Sequence, residues 1–153
     1  MPVAAWLVFV GFAVPLAAVD LRQHRLPNVL VGPLAVSVVV VLGLSAATTG
    51  AWQAFARALI AGIVVAAIAV VCAGFGWWGM GDAKVSFPIA CMLGWLGWGA
   101  VWAGVMVAFT LAGVVGVLWI AMRRRSWSTA LPFGPFLFIG VVASGIGSAV
   151  GVI

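Results

Sequence analysis

Six long apolar segments separated by short polar connections constrain this chain more than any other feature of its sequence. They contain few charged side chains and span residues 3–19, 29–47, 55–73, 82–96, 99–122 and 131–153. Lipid offers the backbone no hydrogen-bond partner, so each spanning segment must pair its own peptide groups. Open strands cannot do this. The pattern therefore predicts an all-α, polytopic membrane protein with six transmembrane helices in a single domain over residues 1–153.

Composition supports this fold class and narrows the range of partners. The 153 residues are 67% hydrophobic and 6% charged, whereas about a quarter of a soluble domain is charged. The net charge is +5. The basic residues lie between the apolar segments, where they report topology and contact anionic headgroups. Anionic membrane lipids are therefore expected partners and nucleic acid is not. The sequence leaves the oligomeric state open.

The distribution of basic residues predicts the orientation of the chain. The connections after the first, third and fifth segments hold six of the seven basic residues: Arg22, Arg25, Lys84, Arg123, Arg124 and Arg125. The other side of the membrane holds only Arg57. By the positive-inside rule, the face with six cations is cytoplasmic and both termini lie outside.

Asp20 and Asp82 are the only two acidic residues of the chain. A carboxylate at a membrane boundary is costly unless it is paired, hydrated or functional. The first segment runs inward and the fourth outward, so both carboxylates are expected at the cytoplasmic level. Two neighbouring carboxylates can share one proton, so that one activates water while the other protonates an amide. The pattern predicts a catalytic pair; the alternative is two acids that merely end helices at the interface.

Helix polarity gives each carboxylate a different expected role. It favours the anion at Asp82, which begins a helix, and disfavours it at Asp20, which ends one. Asp82 would then be the initial base. The neighbouring cations Arg22, Arg25 and Lys84 favour the ionised form of both carboxylates, which leaves this assignment open.

No set of metal ligands accompanies the two aspartates in the sequence. Cys72 and Cys91 lie inside apolar segments without Cys-x-x-Cys spacing, so they are expected to be small buried hydrophobes. His24 lies in a polar connection beside two arginines and has no companion ligand. We therefore expect metal-independent chemistry and no cofactor.

Local sequence around the first aspartate forms the first of three elements. From Asp20 the chain reads D-L-R-Q-H-R-L-P-N, which ends at Asn28. Pro27 and Asn28 are a turn signal before the second segment. Arg22 lies two residues after the carboxylate.

The second element, G-M-G-D-A-K, contains the other aspartate and runs from Gly79 to Lys84. Gly79 and Gly81 would let the backbone approach a substrate closely. The third element is P-F-G-P over residues 132–135, at the start of the last apolar segment.

In this order and at these helix boundaries, the three elements resemble the type IV prepilin peptidases, the GxGD membrane aspartyl proteases that process type IV pilins, pseudopilins and flagellins. The resemblance covers nearly the whole chain. It implies an endopeptidase of the prokaryotic inner membrane that removes the basic leader of a prepilin at the cytoplasmic face, with Asp20 and Asp82 as its catalytic residues. Pilins of this family carry a Glu shortly after the cut, and Lys84 or Arg22 is expected to pair with it.

The chain departs from the longer members of that family at its N-terminus. Those members carry a cytoplasmic region with paired cysteines and methylate the new N-terminus, whereas this sequence enters its first apolar segment within a few residues. We expect a peptidase without N-methyltransferase activity, like the short forms associated with tight-adherence pili.

Two other functions are compatible with parts of the pattern. A small proton-coupled transporter would use the two aspartates as a relay, with carboxylates near the bilayer midplane and an internal repeat. A scaffold protein without chemistry would leave the two retained acids unexplained.

Overall fold

The computed structural model of the protein describes residues 3–23, 28–75, 79–121 and 134–151. These ranges contain helices and no strand, which confirms the predicted all-α class. The helices, in chain order, are α1 (Val3–Gln23), α2 (Asn28–Thr49), α3 (Trp52–Gly74), α4 (Met80–Leu96), α5 (Trp98–Ala121) and α6 (Gly134–Val150). Among the described residues, three segments are long and apolar enough to cross a membrane: Leu30–Thr49, Trp52–Gly74 and Trp98–Leu118.

Two helix boundaries close to the aspartates differ from those expected from the apolar pattern. Helix α1 does not end at the last apolar residue but continues through Gln23, because Leu, Arg and Gln are good helix formers. Asp20 and Arg22 therefore lie on the last turns of a helix rather than in a connection. Helix α4 begins at Met80, two residues before the expected Asp82, and ends at Leu96 as expected, so that Gly97 alone separates it from α5. Gly97, at φ 152°, makes this tight turn.

The helices alternate in direction, as contacts between their ends demonstrate. Each contact joins the beginning of one helix to the end of another: Phe55 with Gly43, Arg57 with Gly94, Gly104 with Leu93 and Ser144, and Trp6 with Gly145. One end of the bundle, the Arg57 end, therefore holds the beginnings of α1, α3 and α5 and the ends of α2, α4 and α6. The opposite end, the Asp82 end, holds the end of α1 and the beginning of α4.

Helix α4 is the centre of the bundle. It packs against α2, α3, α5 and α6, and twelve of its seventeen residues are buried. Small residues allow the close approach of its neighbours, since a Cβ on Gly94 would overlap Ala61 and the backbone of Ala58 in α3. The helices around it expose many large aliphatic side chains, as expected of surfaces that face lipid. The fold thus buries the helix that carries one of the two carboxylates.

Candidate functional site

Asp82 lies in the first turn of α4, which begins at Met80 after an N-terminal cap at Gly79. Its side chain is only 7% exposed. The Oδ2 atom lies 3.2 Å from the position that a Cβ on residue 79 would take, so the carboxylate is folded back over the cap. The free amides of a first turn carry the positive end of the helix dipole. The helix terminus therefore favours a carboxylate anion at this position, whereas burial of the side chain opposes it.

Asp20 lies on the last turns of α1, and its side chain is outside the described residues. The direction of this helix follows from a contact near its beginning, where Trp6 packs on Gly145 near the end of α6. The end of α1 consequently lies at the same end of the bundle as the beginning of α4. Helices α2 and α6 each contact both α1 and α4. The two aspartates predicted as a pair thus lie at the same end of the bundle, on helices that share two neighbours.

The other predicted residues of the glycine-rich element surround Asp82 in different ways. Gly79 is the cap residue and Gly81 is half-buried within the first turn. Lys84 is exposed and follows Asp82 by two residues, which corresponds to about 200° around a helix. The ammonium group therefore starts from a different face of α4 than the buried carboxylate, and its role towards the substrate stays a prediction.

The predicted residues on the first connection are only partly described. Arg22 belongs to α1 and Asn28 is the first residue of α2, which places both backbones at the Asp82 end, although their side chains are outside the described residues. Pro27 and His24 lie wholly outside the described residues, as do Pro132 and Phe133 of the third element.

Ser86 is a residue of this site that the sequence analysis missed. It lies one helical turn after Asp82, on the same face of α4, and is fully buried. Its hydroxyl group donates a hydrogen bond of 2.7 Å to the carbonyl oxygen of Ala83, so this proton is not directed at the carboxylate. A hydroxyl residue four positions after an aspartate in a helix was the signal that could have identified it.

Arg57 was interpreted from the sequence only as a topology marker, but it makes specific contacts. Its Nε donates to the carbonyl oxygen of Gly94 at 2.7 Å and its Nη2 to that of Trp95 at 3.0 Å. Its position, a single cation in the second turn of an apolar helix, was the available signal. Arg57 therefore holds the end of α4 that is farthest from Asp82.

Only one of the two thiols is buried as the sequence predicts. Cys91 is buried and Cys72 is half-buried, and both are free. Cys91 packs directly against Gly62 of α3. In the part of the chain that the structure describes, no three His, Cys, Asp or Glu residues are grouped so that they could hold a metal ion. Metal independence stays a prediction for the whole protein.

A known protein family matches most of this chain. A model of the type IV leader peptidase family matches residues 7–121, a range that includes both aspartates. The chain belongs to the type IV leader peptidase family. This finding confirms the resemblance inferred from the three sequence elements, although the element over residues 132–135 lies beyond the matched range.

A curated relative in this family is the prepilin leader peptidase/N-methyltransferase of Xanthomonas campestris pv. campestris. It is 27% identical to the chain over 144 residues, which cover 87% of the chain and 46% of the relative. The chain thus spans about half the length of this leader peptidase. No solved structure matches the chain.

Proposed function

We propose that this protein is a membrane aspartic endopeptidase that removes the leader of a prepilin or pseudopilin at the cytoplasmic face of the inner membrane. The observation that carries the proposal is the family match over residues 7–121, a range that contains both acidic residues of the chain, Asp20 and Asp82. The arrangement of helices supports it, because the helix ends that carry these residues lie at the same end of the bundle. Six of the seven cations lie on the same side in the sequence-based topology, which supports a cytoplasmic orientation.

The chemistry follows from two carboxylates that hold one proton. Asp82, at the positive end of a helix, is the base: it takes a proton from water as the water oxygen attacks the scissile carbonyl carbon. Asp20 donates its proton to the amide nitrogen as the C–N bond breaks. The low dielectric of a membrane boundary strengthens the coupling of the two groups.

Binding of the substrate uses the charges around this pair. The basic leader finds no acidic surface on the enzyme, since the chain has no acidic residues beyond the catalytic pair, so anionic headgroups hold the leader. The cations Lys84 and Arg22 are suited to an acidic side chain just after the cut, in a charge-assisted hydrogen bond of about 1 to 3 kcal/mol. A double-mutant cycle with Lys84→Gln, Arg22→Gln and the substrate Glu→Gln tests this contact. Losses in cleavage efficiency that simply add for both cations would remove it.

The N-methyltransferase activity in the name of the Xanthomonas relative is not part of our proposal. We expect this chain to leave the new N-terminus unmethylated. Mass spectrometry of the mature product, formed with and without a methyl donor, measures this directly, and a donor-dependent methyl group would contradict the expectation.

Cleavage itself is tested with the purified protein in detergent and a panel of prepilins. Mass spectrometry should find one shortened product that begins just before the apolar helix of the substrate. A product that forms only with metal, and not in chelator, would point to a different class of peptidase. The comparisons lend no support to the alternative, a proton-coupled transporter.

A further inference from the structure

The end of α4 that is remote from Asp82 is held by a half-buried cation. Arg57 of α3 donates two hydrogen bonds, of 2.7 and 3.0 Å, to the carbonyl oxygens of Gly94 and Trp95. These carbonyls belong to the last turn of α4, where a helix has no partners of its own. A neighbouring one, that of Leu93, accepts the Gly97 N–H. A cation at this end also complements the negative pole of the helix dipole.

The rest of the α3–α4 interface consists largely of small side chains. Gly62, Ala58 and Ala61 of α3 are fully or almost fully buried, and Gly94 of α4 lies against the last two. Such surfaces approach closely, and the fit of Gly94 against Ala58 and Ala61 itself limits a shift along the helix axis. The hydrogen bonds of Arg57 depend strongly on distance and angle. They are therefore suited to fix the axial position of α4 against α3.

Helix α4 transmits an axial shift from one end to the other. Asp82 precedes Gly94 by twelve residues, which is about 18 Å of helix. Pro88 removes one hydrogen bond within this length, but the helix is continuous over Met80–Leu96 and packed by four others. A shift of a single residue would displace Asp82 by about 1.5 Å, whereas a catalytic constellation must be held to about 0.5 Å.

We propose that Arg57 is a positioning residue of the peptidase: it fixes the axial position of α4 and thereby the depth at which Asp82 meets Asp20 and the scissile bond. The inference rests on the proposed function for its catalytic consequence. The axial position of α4 can be measured independently of peptidase activity.

The experiment compares Arg57→Met, which keeps a long apolar stem but removes the donors, with Arg57→Lys, which restores a charge and a donor. Gln53→Ala removes an exposed polar side chain one turn earlier on α3 and serves as the matched control. Arg57→Met should lower kcat by about 10- to 100-fold with KM unchanged, Arg57→Lys should recover most of this loss, and Gln53→Ala should behave as the wild type.

A second readout measures the axial position of α4 directly. Nitroxide labels replace two exposed residues, Val71 at the end of α3 and Met80 at the start of α4, in a background in which Cys72 and Cys91 are Ala. The label separation should change in Arg57→Met and return in Arg57→Lys. An unchanged separation together with an unchanged kcat in the folded Arg57→Met variant would overturn the inference, as would Lys and Met variants that behave alike. If the wild type cleaves no prepilin, the proposed function fails and the label separation alone decides the inference.

Discussion

At the scale of single residues, the cap of α4 explains why residue 79, three positions before the buried Asp82, is a glycine. A Cβ on residue 79 would lie 3.2 Å from Oδ2 and 3.7 Å from Cγ of Asp82, so any larger residue presses on the carboxylate. The sequence indicated Asp82 because an acid is conspicuous in such an apolar chain, and Gly79 because it begins the G-x-G-D element that contains this acid. The spacing of Ser86 from Asp82 was a usable signal, but the partners of Arg57 could not be derived, because they depend on which residues the packing of α4 against α3 brings together.

Gly79→Ala is predicted to reduce cleavage without unfolding the protein. The added methyl group must displace the carboxylate of Asp82 by a few tenths of an ångström, and a small misplacement of a reacting group has a large effect on rate. We expect kcat to fall by about tenfold or more. Gly74→Ala, on the other side of the same connection and with nothing within 4 Å of the added Cβ, is the control. Equal activity of the two variants would show that the cap does not position Asp82.

At the scale of helices, glycines at close contacts decide how the bundle packs. A Cβ on Gly140 of α6 would overlap the backbone carbonyl oxygen of Gly104 in α5, and Ala108 lies 3.3 Å away. The sequence predicted all six helices from their apolar runs. It placed the end of α1 too early because polar helix formers continue a helix beyond its apolar run, as at Gln23.

Gly140→Ala is predicted to destabilise the protein by about 1 to 3 kcal/mol, because a carbonyl oxygen of a neighbouring helix cannot move aside as a flexible side chain can. Unfolding in a denaturing detergent titration measures the change. The control is Gly113→Ala on α5, where the added Cβ meets nothing within 4 Å and Ala should be neutral or stabilising by up to about 1 kcal/mol. Similar losses for both substitutions would mean that helix propensity, and not the α5–α6 contact, explains the effect.

At the scale of the whole molecule, the up-and-down order of the helices connects topology to the site. Contacts such as Trp6 with Gly145 place both ends of the described chain at the Arg57 end, and Asp82 at the other. The positive-inside rule gave the same division of the helix ends from the cations alone. Which helices touch could not be derived in this way, because similar apolar runs do not specify their neighbours.

Cysteine-accessibility labelling is predicted to find the two ends of the bundle on opposite sides of the membrane. Single cysteines in the connections over 24–27 and 75–79 should react with an impermeant reagent from the cytoplasmic side. Those over 48–53 and at Gly97, which lie at the Arg57 end, should react from the outside. Labelling of both connections near the aspartates from the outside would invert the orientation and remove cleavage at the cytoplasmic face.

The most direct test of the account is cleavage of a prepilin by Asp20→Asn and Asp82→Asn in the purified protein. Each substitution should reduce cleavage by about 10³-fold or more, because the two carboxylates act as one unit, while helix content and melting behaviour stay those of the wild type. Thr110→Val, which removes only an exposed hydroxyl bonded to Met106 within α5, should cleave normally. Wild-type cleavage by either correctly folded aspartate variant would contradict the central claim that Asp20 and Asp82 form the catalytic pair.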